Sequence, residues 1–411
     1  MKILLFLLCV AEVLLYTFCK NIAGEVFSPV LILIVSFSIA FLSLRLHNAP
    51  LRKQASTSRP KIWSIIAAIT IFTGLSAWVL VIFINIFPAI PITNSDSSDV
   101  ILTHLHLVKN FIAGKPAYEP FLNVNYVITP SYLPFQWMPY IIAEYFHFDY
   151  RWIAFAVFWL AALFFFIKNL SAVSHSGFFW RIVIPVWPLV IYATLVQSNL
   201  FEFLITLESL AAGYYLLLAT AIDKRKWILM AIALAICILS RMGIVLWAPL
   251  CVACFFIYGE RKKSFIIAGA CLLFVLIFYC PFIISSPASF FNPYRSYSVP
   301  IEATWGRNSL RNGFSFNTWG MRFLNGDMHH KVTIYNNIHL FACTFSILAL
   351  GLYFLRVRKK YTFNSYLLFS LKIYLTIFYT LIQLPFFYLF IVPLMITPAL
   401  LSNAFITKRD S

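Results

Sequence analysis

The chain has 411 residues, 62% of them hydrophobic and only 11% charged, with mean hydropathy +0.86. These values exclude a soluble globular domain and predict an all-α polytopic membrane protein. A formal charge of +17 would suggest nucleic acid as a partner in a soluble protein, but here it follows membrane topology and no nucleic-acid partner is expected.

Apolar runs at or near spanning length predict about twelve transmembrane helices, within a range of roughly 10–13. They fall near 3–19, 27–44, 63–88, 152–168, 181–197, 200–222, 227–240, 243–258, 264–285, 338–355, 364–382 and 385–404. Met1-Lys2 and the following apolar stretch resemble a signal peptide. No clear small-residue cleavage site follows, so the segment reads as an uncleaved first helix. Basic clusters occur at Arg45 to Lys61, Lys224 to Lys226, Arg261 to Lys263, Arg356 to Lys360 and Lys408-Arg409. The positive-inside rule places them all in the cytoplasm, with about 20 Lys/Arg and 3 Asp/Glu inside against about 10 and 9 outside. The segment between Lys226 and Arg261 must then cross twice, as a hairpin with Arg241-Met242-Gly243 at its apex. Both termini are cytoplasmic, and the expected location is the cytoplasmic (inner) membrane.

Four sections follow: two N-terminal helices (1–50), a core (51–285), an outer loop (286–337) and C-terminal helices (338–411). The core carries another long outer loop, about 90–150. Its apolar, proline-broken stretch Ser131 to Phe146 predicts a short interfacial helix. Chemistry is expected on this outer face, because long loops in compact proteins are usually functional.

Acidic residues are scarce, 14 in the chain, yet Asp96 and Asp99 stand together just after the apolar run Ile62 to Ile90. A carboxylate there can take a proton from a bound substrate without the cost of charge at the bilayer centre. It can equally cap the helix that follows. Gly114 to Tyr118 and Tyr132-Leu133-Pro134-Phe135 come next. Gln197-Ser198-Asn199 breaks two spans on the same side, by turn chemistry or to present its amides. Arg241 is an arginine beside hydrocarbon, suited to a phosphate or to snorkelling toward headgroups. Glu12, Glu208 and Lys372 are the main ionisable groups inside spans, and Glu208 should lie one or two turns into a helix starting at Leu200.

The second outer loop interleaves aromatic, amide and arginine side chains: Trp305, Arg307, Asn308, Arg311, Asn312, Asn317, Trp319 and Arg322. Rings stack on sugar faces and guanidinium groups clamp phosphates, although an interfacial aromatic belt has the same composition. Cys251 and Cys254 have CxxC spacing but sit in an apolar run, so packing is expected. No cluster has the spacing of a metal site, and neither a metal nor any other cofactor is expected.

In order and side, these elements resemble the integral-membrane GT-C glycosyltransferases, most closely the polyprenyl-phosphate-mannose-dependent mannosyltransferases. The likeness covers about residues 62–285 and rests on Asp99, Gly114 to Tyr118, Tyr132 to Phe135, Gln197 to Asn199, and Arg241 to Pro249. The family often has Gly and Lys where this chain has Val196 and Arg241. The resemblance implies a GT-C-like bundle with short interfacial helices in its outer loops. It also implies transfer of a mannose-like hexose from a polyprenyl-phosphate donor to a glycan or glycolipid acceptor, among membrane lipids. Asp99 would be the general base, with Asp96 as the alternative. Arg241, Arg307 and Arg311 would bind the donor phosphate. Tyr118, Tyr132, Gln197, Asn199, Trp305 and Trp319 would bind substrate. Two other classes compete: a multispan transporter or lipid flippase, and an O-antigen-type polymerase or ligase.

Overall fold

The computed structural model describes residues 1–47, 62–92, 99–122, 127–172, 177–198, 200, 205–285, 287, 301–302, 305, 315–384 and 386–405. Among them, six helices are long and apolar enough to cross a membrane: Ala23–His47, Ile62–Ile86, Tyr150–Leu170, Phe178–Ser198, Met328–Val357 and Tyr388–Phe405. Shorter apolar helices fill the space between them. The one sheet among the described residues is a two-stranded hairpin, β1 (Phe121–Leu122) with β2 (Val127–Ile128).

Helix α1 (Lys2–His47) is bent at Gly24, where φ is 66° and ψ is −179°. Glycine takes that conformation without a Cβ penalty. The chain reverses there: Ser36 donates its hydroxyl to the Glu12 carboxylate, so residues equidistant from Gly24 lie side by side. The apolar runs at 3–19 and 27–44 are the limbs of this hairpin, and the second belongs to a helix long enough to cross a membrane. Its open end holds the Lys2 ammonium 4.6 Å over the Phe405 ring, and His47 Nδ1 bonds the Asn403 carbonyl at 3.0 Å. This is the terminal end of the bundle. Its opposite, the loop end, gathers the segments after α2 (Ile62–Ile86) and around the short helices α4 (Pro134–Trp137) and α5 (Ile141–Tyr145).

Between those segments lies α3 (Asp99–Ile112), whose buried positions Ile101, Leu105, Leu107 and Val108 form an apolar stripe at helical spacing. Next come α6 (Tyr150–Ala172), α7 (Phe178–Ser198), α8 (Ser209–Asp223) and α9 (Trp227–Ile238). Helices α6 and α8 approach closely, because a Cβ on Gly213 would stand 2.9 Å from the Phe158 backbone. Small residues at membrane helix contacts permit this dispersion-rich packing.

The hairpin expected at Arg241 to Gly243 is present. Gly243 abuts Phe378 and Tyr379 near the loop-end terminus of α15 (Phe363–Thr380). Tyr258, just past α10 (Trp247–Ile257), stacks on Phe363 at the other terminus, 4.7 Å between ring centroids. The chain therefore climbs in α9 and descends in α10. After α11 (Arg261–Phe278) and α12 (Cys280–Ser285), the described chain resumes with α13 (Asn317–Phe323) and α14 (Met328–Val357). It closes with α16 (Ile391–Leu394) and α17 (Thr397–Phe405).

Three expected boundaries are corrected. The span placed at 200–222 is not one helix. Leu207 has φ 59°, the backbone leaves the helical path, and Glu208 precedes α8 rather than lying inside it. The span placed at 338–355 begins at Met328, because Asp327 caps it by accepting from the His330 amide at 2.8 Å. The last span is broken into a 3-10 turn, α16 and α17, since a proline removes a helical donor at Pro393 and again at Pro398.

The surface is that of a membrane protein. In α2 only 17% of the most apolar window is buried, and in α14 only 22%. Leu80, Val81, Ile84, Phe341, Leu348 and Leu352 face outward. In water such contiguous apolar faces would drive association; against lipid they are at home.

Inside the bundle an ion pair is wholly buried. Lys372 Nζ contacts Glu12 Oε1 at 2.5 Å, the Pro393 carbonyl at 2.8 Å and Thr397 Oγ1 at 2.9 Å. Thr397 in turn donates to Glu12 Oε2 at 2.6 Å. All three ammonium protons have acceptors, which is what a charge in hydrocarbon requires. The N-terminal hairpin is thereby tied to α15 and α17.

Candidate functional site at the loop end

Helices α8 and α9 are antiparallel, and their loop-end termini carry opposite partial charges. Glu208 sits at the N-terminus of α8, where the macrodipole favours an anion. Arg241 sits just beyond the C-terminus of α9, where it favours a cation. The Arg241 amide donates to the Cys237 carbonyl at 2.9 Å, continuing the last turn. Arg241 Nη2 and Glu208 Oε1 form a salt bridge whose side chains are 16% and 3% exposed. The kink at Leu207 makes this pairing possible, and a bulky residue at positive φ is strain of order 1–3 kcal/mol held by its surroundings.

The first outer loop is fastened onto this corner. The Phe135 amide donates to the Leu239 carbonyl at 3.0 Å, satisfying a carbonyl left over at the end of α9. The Tyr214 hydroxyl donates to the Phe135 carbonyl at 3.3 Å. Upstream, the Tyr118 hydroxyl donates to the Tyr132 carbonyl at 2.8 Å and accepts from Trp137 Nε1 at 3.3 Å. The Tyr132 ring then lies 4.4 Å from that of His104.

A pocket opens between α3, the 3-10 turn Met138–Tyr140, α8 and the α9 terminus. Its enclosed volume is small, about 10 Å³, and it is open on one side. His104, Gln136, Tyr140, Glu208, Ser240 and Arg241 are among its lining residues. Three buried polar atoms here have no hydrogen-bond partner among the described residues: Arg241 Nε, Glu208 Oε2 and the Tyr140 hydroxyl oxygen. His104 Nδ1 lies 2.6 Å from the Val100 carbonyl. A carbonyl only accepts, so the ring proton belongs on Nδ1 and Nε2 keeps its lone pair. Burial holds the His104 pKa down at about 4, against the Val100 hydrogen bond, and the Arg241 charge adds to the lowering. The imidazole is therefore neutral at physiological pH.

The residues singled out from sequence fare differently. Asp99 opens α3 with its side chain exposed. Tyr132, Glu208, Arg241 and Asp99 all lie within electrostatic range of Tyr388. Tyr118 is 2% exposed and acts as a strut under Tyr132. Gln197 stands exposed at the last turn of α7. Trp305 is 2% exposed, donates Nε1–H to the Gln383 carbonyl at 2.9 Å, and packs on Tyr335, so neither ring face is open to a ligand. Trp319 keeps an exposed face while its Nε1–H bonds the Val26 carbonyl at 2.9 Å. Asp96, Asn199, Arg307 and Arg311 lie outside the described residues.

Glu208, His104, Tyr140 and Tyr388 were not among the site residues read from sequence. For Glu208 the signal existed: a lone carboxylate and a lone guanidinium in adjacent apolar runs are each too costly to bury alone and must meet. A scan against protein-family models finds no match, and searches of the curated proteins and of the solved structures find none either.

Proposed function

We propose that this chain is a membrane glycosyltransferase with about twelve crossings and both termini in the cytoplasm. It transfers a mannose-like hexose from a polyprenyl-phosphate donor to a lipid- or glycan-linked acceptor at the outer face of the cytoplasmic membrane. One observation carries the reading: an exposed carboxylate, Asp99, opens the same short helix that lends His104 to a polar pocket, in a protein otherwise built of apolar helices. A lipid-linked sugar presents the same combination, an apolar tail and a polar head meeting at the membrane boundary.

In this reaction the Asp99 carboxylate takes the proton from an acceptor hydroxyl. That oxygen attacks the anomeric carbon, and the bond from that carbon to the phosphate oxygen breaks with the electron pair leaving on polyprenyl phosphate. One base suffices for this inverting displacement, unlike the paired carboxylates of retaining hydrolases. Asp96 is the alternative base. Stabilising the departing phosphate falls to Arg307 and Arg311. In this reading Tyr132 and Trp319 stack on the sugar, and Gln197 supplies an amide.

A second reading, a transporter or flippase, draws on the Glu12–Lys372 pair, since intramembrane charges often mark ion pathways. Full saturation of the Lys372 protons favours a structural clasp instead. The readings separate when purified protein in lipid nanodiscs meets a panel of radiolabelled polyprenyl-phosphate sugars. Loss of label from a donor lipid supports transfer; movement of an intact donor across a proteoliposome membrane, with no covalent change, supports transport.

A further inference from the structure

The pocket at the head of α8 and α9 contains an arginine, but it is not an anion site. The Arg241 charge is already met by Glu208, the neighbouring His104 imidazole is neutral, and the nearby Asp99 is a carboxylate. A phosphate entering here would have to displace Glu208 and leave that carboxylate buried without its cation, which costs more than the new contact returns.

The atoms left over are of a different kind. Glu208 Oε2 is an acceptor, Arg241 Nε–H is a donor, and the Tyr140 hydroxyl is both. Glu208 is 3% exposed and Tyr140 0%, and the pocket they line has room at their polar atoms for about one hydroxyl-sized group at a time. Buried polar groups in this state are unusual and demand a partner. A sugar hydroxyl donates one hydrogen bond and accepts others, so a single hydroxyl satisfies a donor and an acceptor side by side. Tyr132 packs against the pocket from outside, its ring tilted 36° to that of the lining His104.

From these observations we infer that Glu208, Arg241 and Tyr140 form a subsite for a hydroxyl of a neutral sugar, and that Arg241 serves this subsite instead of clamping the donor phosphate. The inference rests on the glycosyltransferase reading for the identity of the ligand. Glu208 has a second effect: by neutralising Arg241 it turns phosphate away from the pocket.

The test uses the protein in phosphatidylcholine nanodiscs and two radiolabelled probes, hexyl mannoside and hexyl phosphate, in equilibrium dialysis. In an Arg307→Gln, Arg311→Gln background, which removes the arginines assigned to the donor phosphate, the protein is expected to bind hexyl mannoside at least about tenfold more tightly than hexyl phosphate, since each charge-assisted hydrogen bond contributes about one such factor. Raising salt should leave mannoside binding unchanged. Glu208→Gln should lose mannoside affinity by about tenfold and gain phosphate binding that salt weakens. Should that variant not fold, Tyr140→Phe removes a hydroxyl with no hydrogen-bond partner among the described residues, so it should fold normally and still lose several-fold in mannoside affinity. Tighter binding of hexyl phosphate than of hexyl mannoside in the Arg307→Gln, Arg311→Gln background overturns the inference, as does unchanged mannoside affinity in folded Tyr140→Phe. The two readings fail separately. Mannoside binding with no donor consumed leaves the subsite standing and removes the transfer reaction; donor consumption with an unaltered KM in Tyr140→Phe does the reverse.

Discussion

Two residues show how the bilayer sets the price of charge. Glu12 and Lys372 are both 0% exposed, and each satisfies the other. Replacing Lys372 with Met leaves a buried carboxylate alone and is expected to cost about 3–5 kcal/mol. The double variant Glu12→Leu, Lys372→Met should recover most of that loss, measured by the unfolding midpoint in mixed micelles. Equal destabilisation of single and double variants would show that the pair contributes through something other than its charges. His104 gives a second expectation, in pH. Its neutral form is held in the folded protein down to about 4, whereas the unfolded chain takes up the proton near 6.5. Unfolded protein thus binds more protons between those values. Stability is full above pH 6.5 and falls as pH drops toward 4, by about 3 kcal/mol for this one group. The slope over that window should flatten in His104→Gln, read from fluorescence-monitored unfolding.

At the scale of elements, two docking events build the site, and both use helix ends. The first loop caps α9 through the Phe135 amide and the Leu239 carbonyl. The second loop does the same after α15: the Phe316 amide meets the Thr380 carbonyl at 2.7 Å, and Ser315 Oγ meets that of Ile382 at 2.8 Å. Helix contacts can be just as exacting. Gly213→Leu should separate α6 from α8 and cost well over about 1 kcal/mol, since the facing atoms belong to the Phe158 backbone and do not move aside. A stable Gly213→Leu protein with unchanged unfolding would contradict the packing described for α6 and α8. These elements also show what sequence reveals. The α9–α10 reversal was readable because basic clusters flank it on both sides, and charge topology is a long-range signal. The break before Glu208 was not readable, because Leu207 reaches positive φ without the glycine that usually announces it. The early start of α14 was concealed by polar residues, His329, His330 and Lys331, which a hydropathy pattern assigns to loop although Asp327 caps a helix there. Trp305 was read as a sugar platform from composition alone; burial under Tyr335 depends on contacts that composition does not encode.

For the whole molecule, the described chain ends and the His47 terminus of α1 share one end of the bundle, while Gly24, Arg241 and the pocket share the other. Lys115 and Lys262 are both exposed and stand at opposite ends. Single cysteines at these positions, in a background without the native ones, should react with an impermeant thiol reagent from opposite sides of the membrane. Labelling of both from one side would contradict the bundle orientation. The role of the N-terminal hairpin also becomes clear at this scale. Through Glu12 and Ser43, which bonds the Leu400 carbonyl at 2.8 Å, it supports α15 and α17, and α15 carries Tyr379 to the pocket side of Gly243.

The central claim is that Asp99 is the base of a sugar-transfer site. Its most direct test compares consumption of radiolabelled polyprenyl-phosphate sugars by wild type and Asp99→Asn, each verified as folded by its unfolding midpoint. The substitution should lower the transfer rate by about 10²–10⁴-fold in protein that still folds. Transfer at the wild-type rate in folded Asp99→Asn would contradict the assignment.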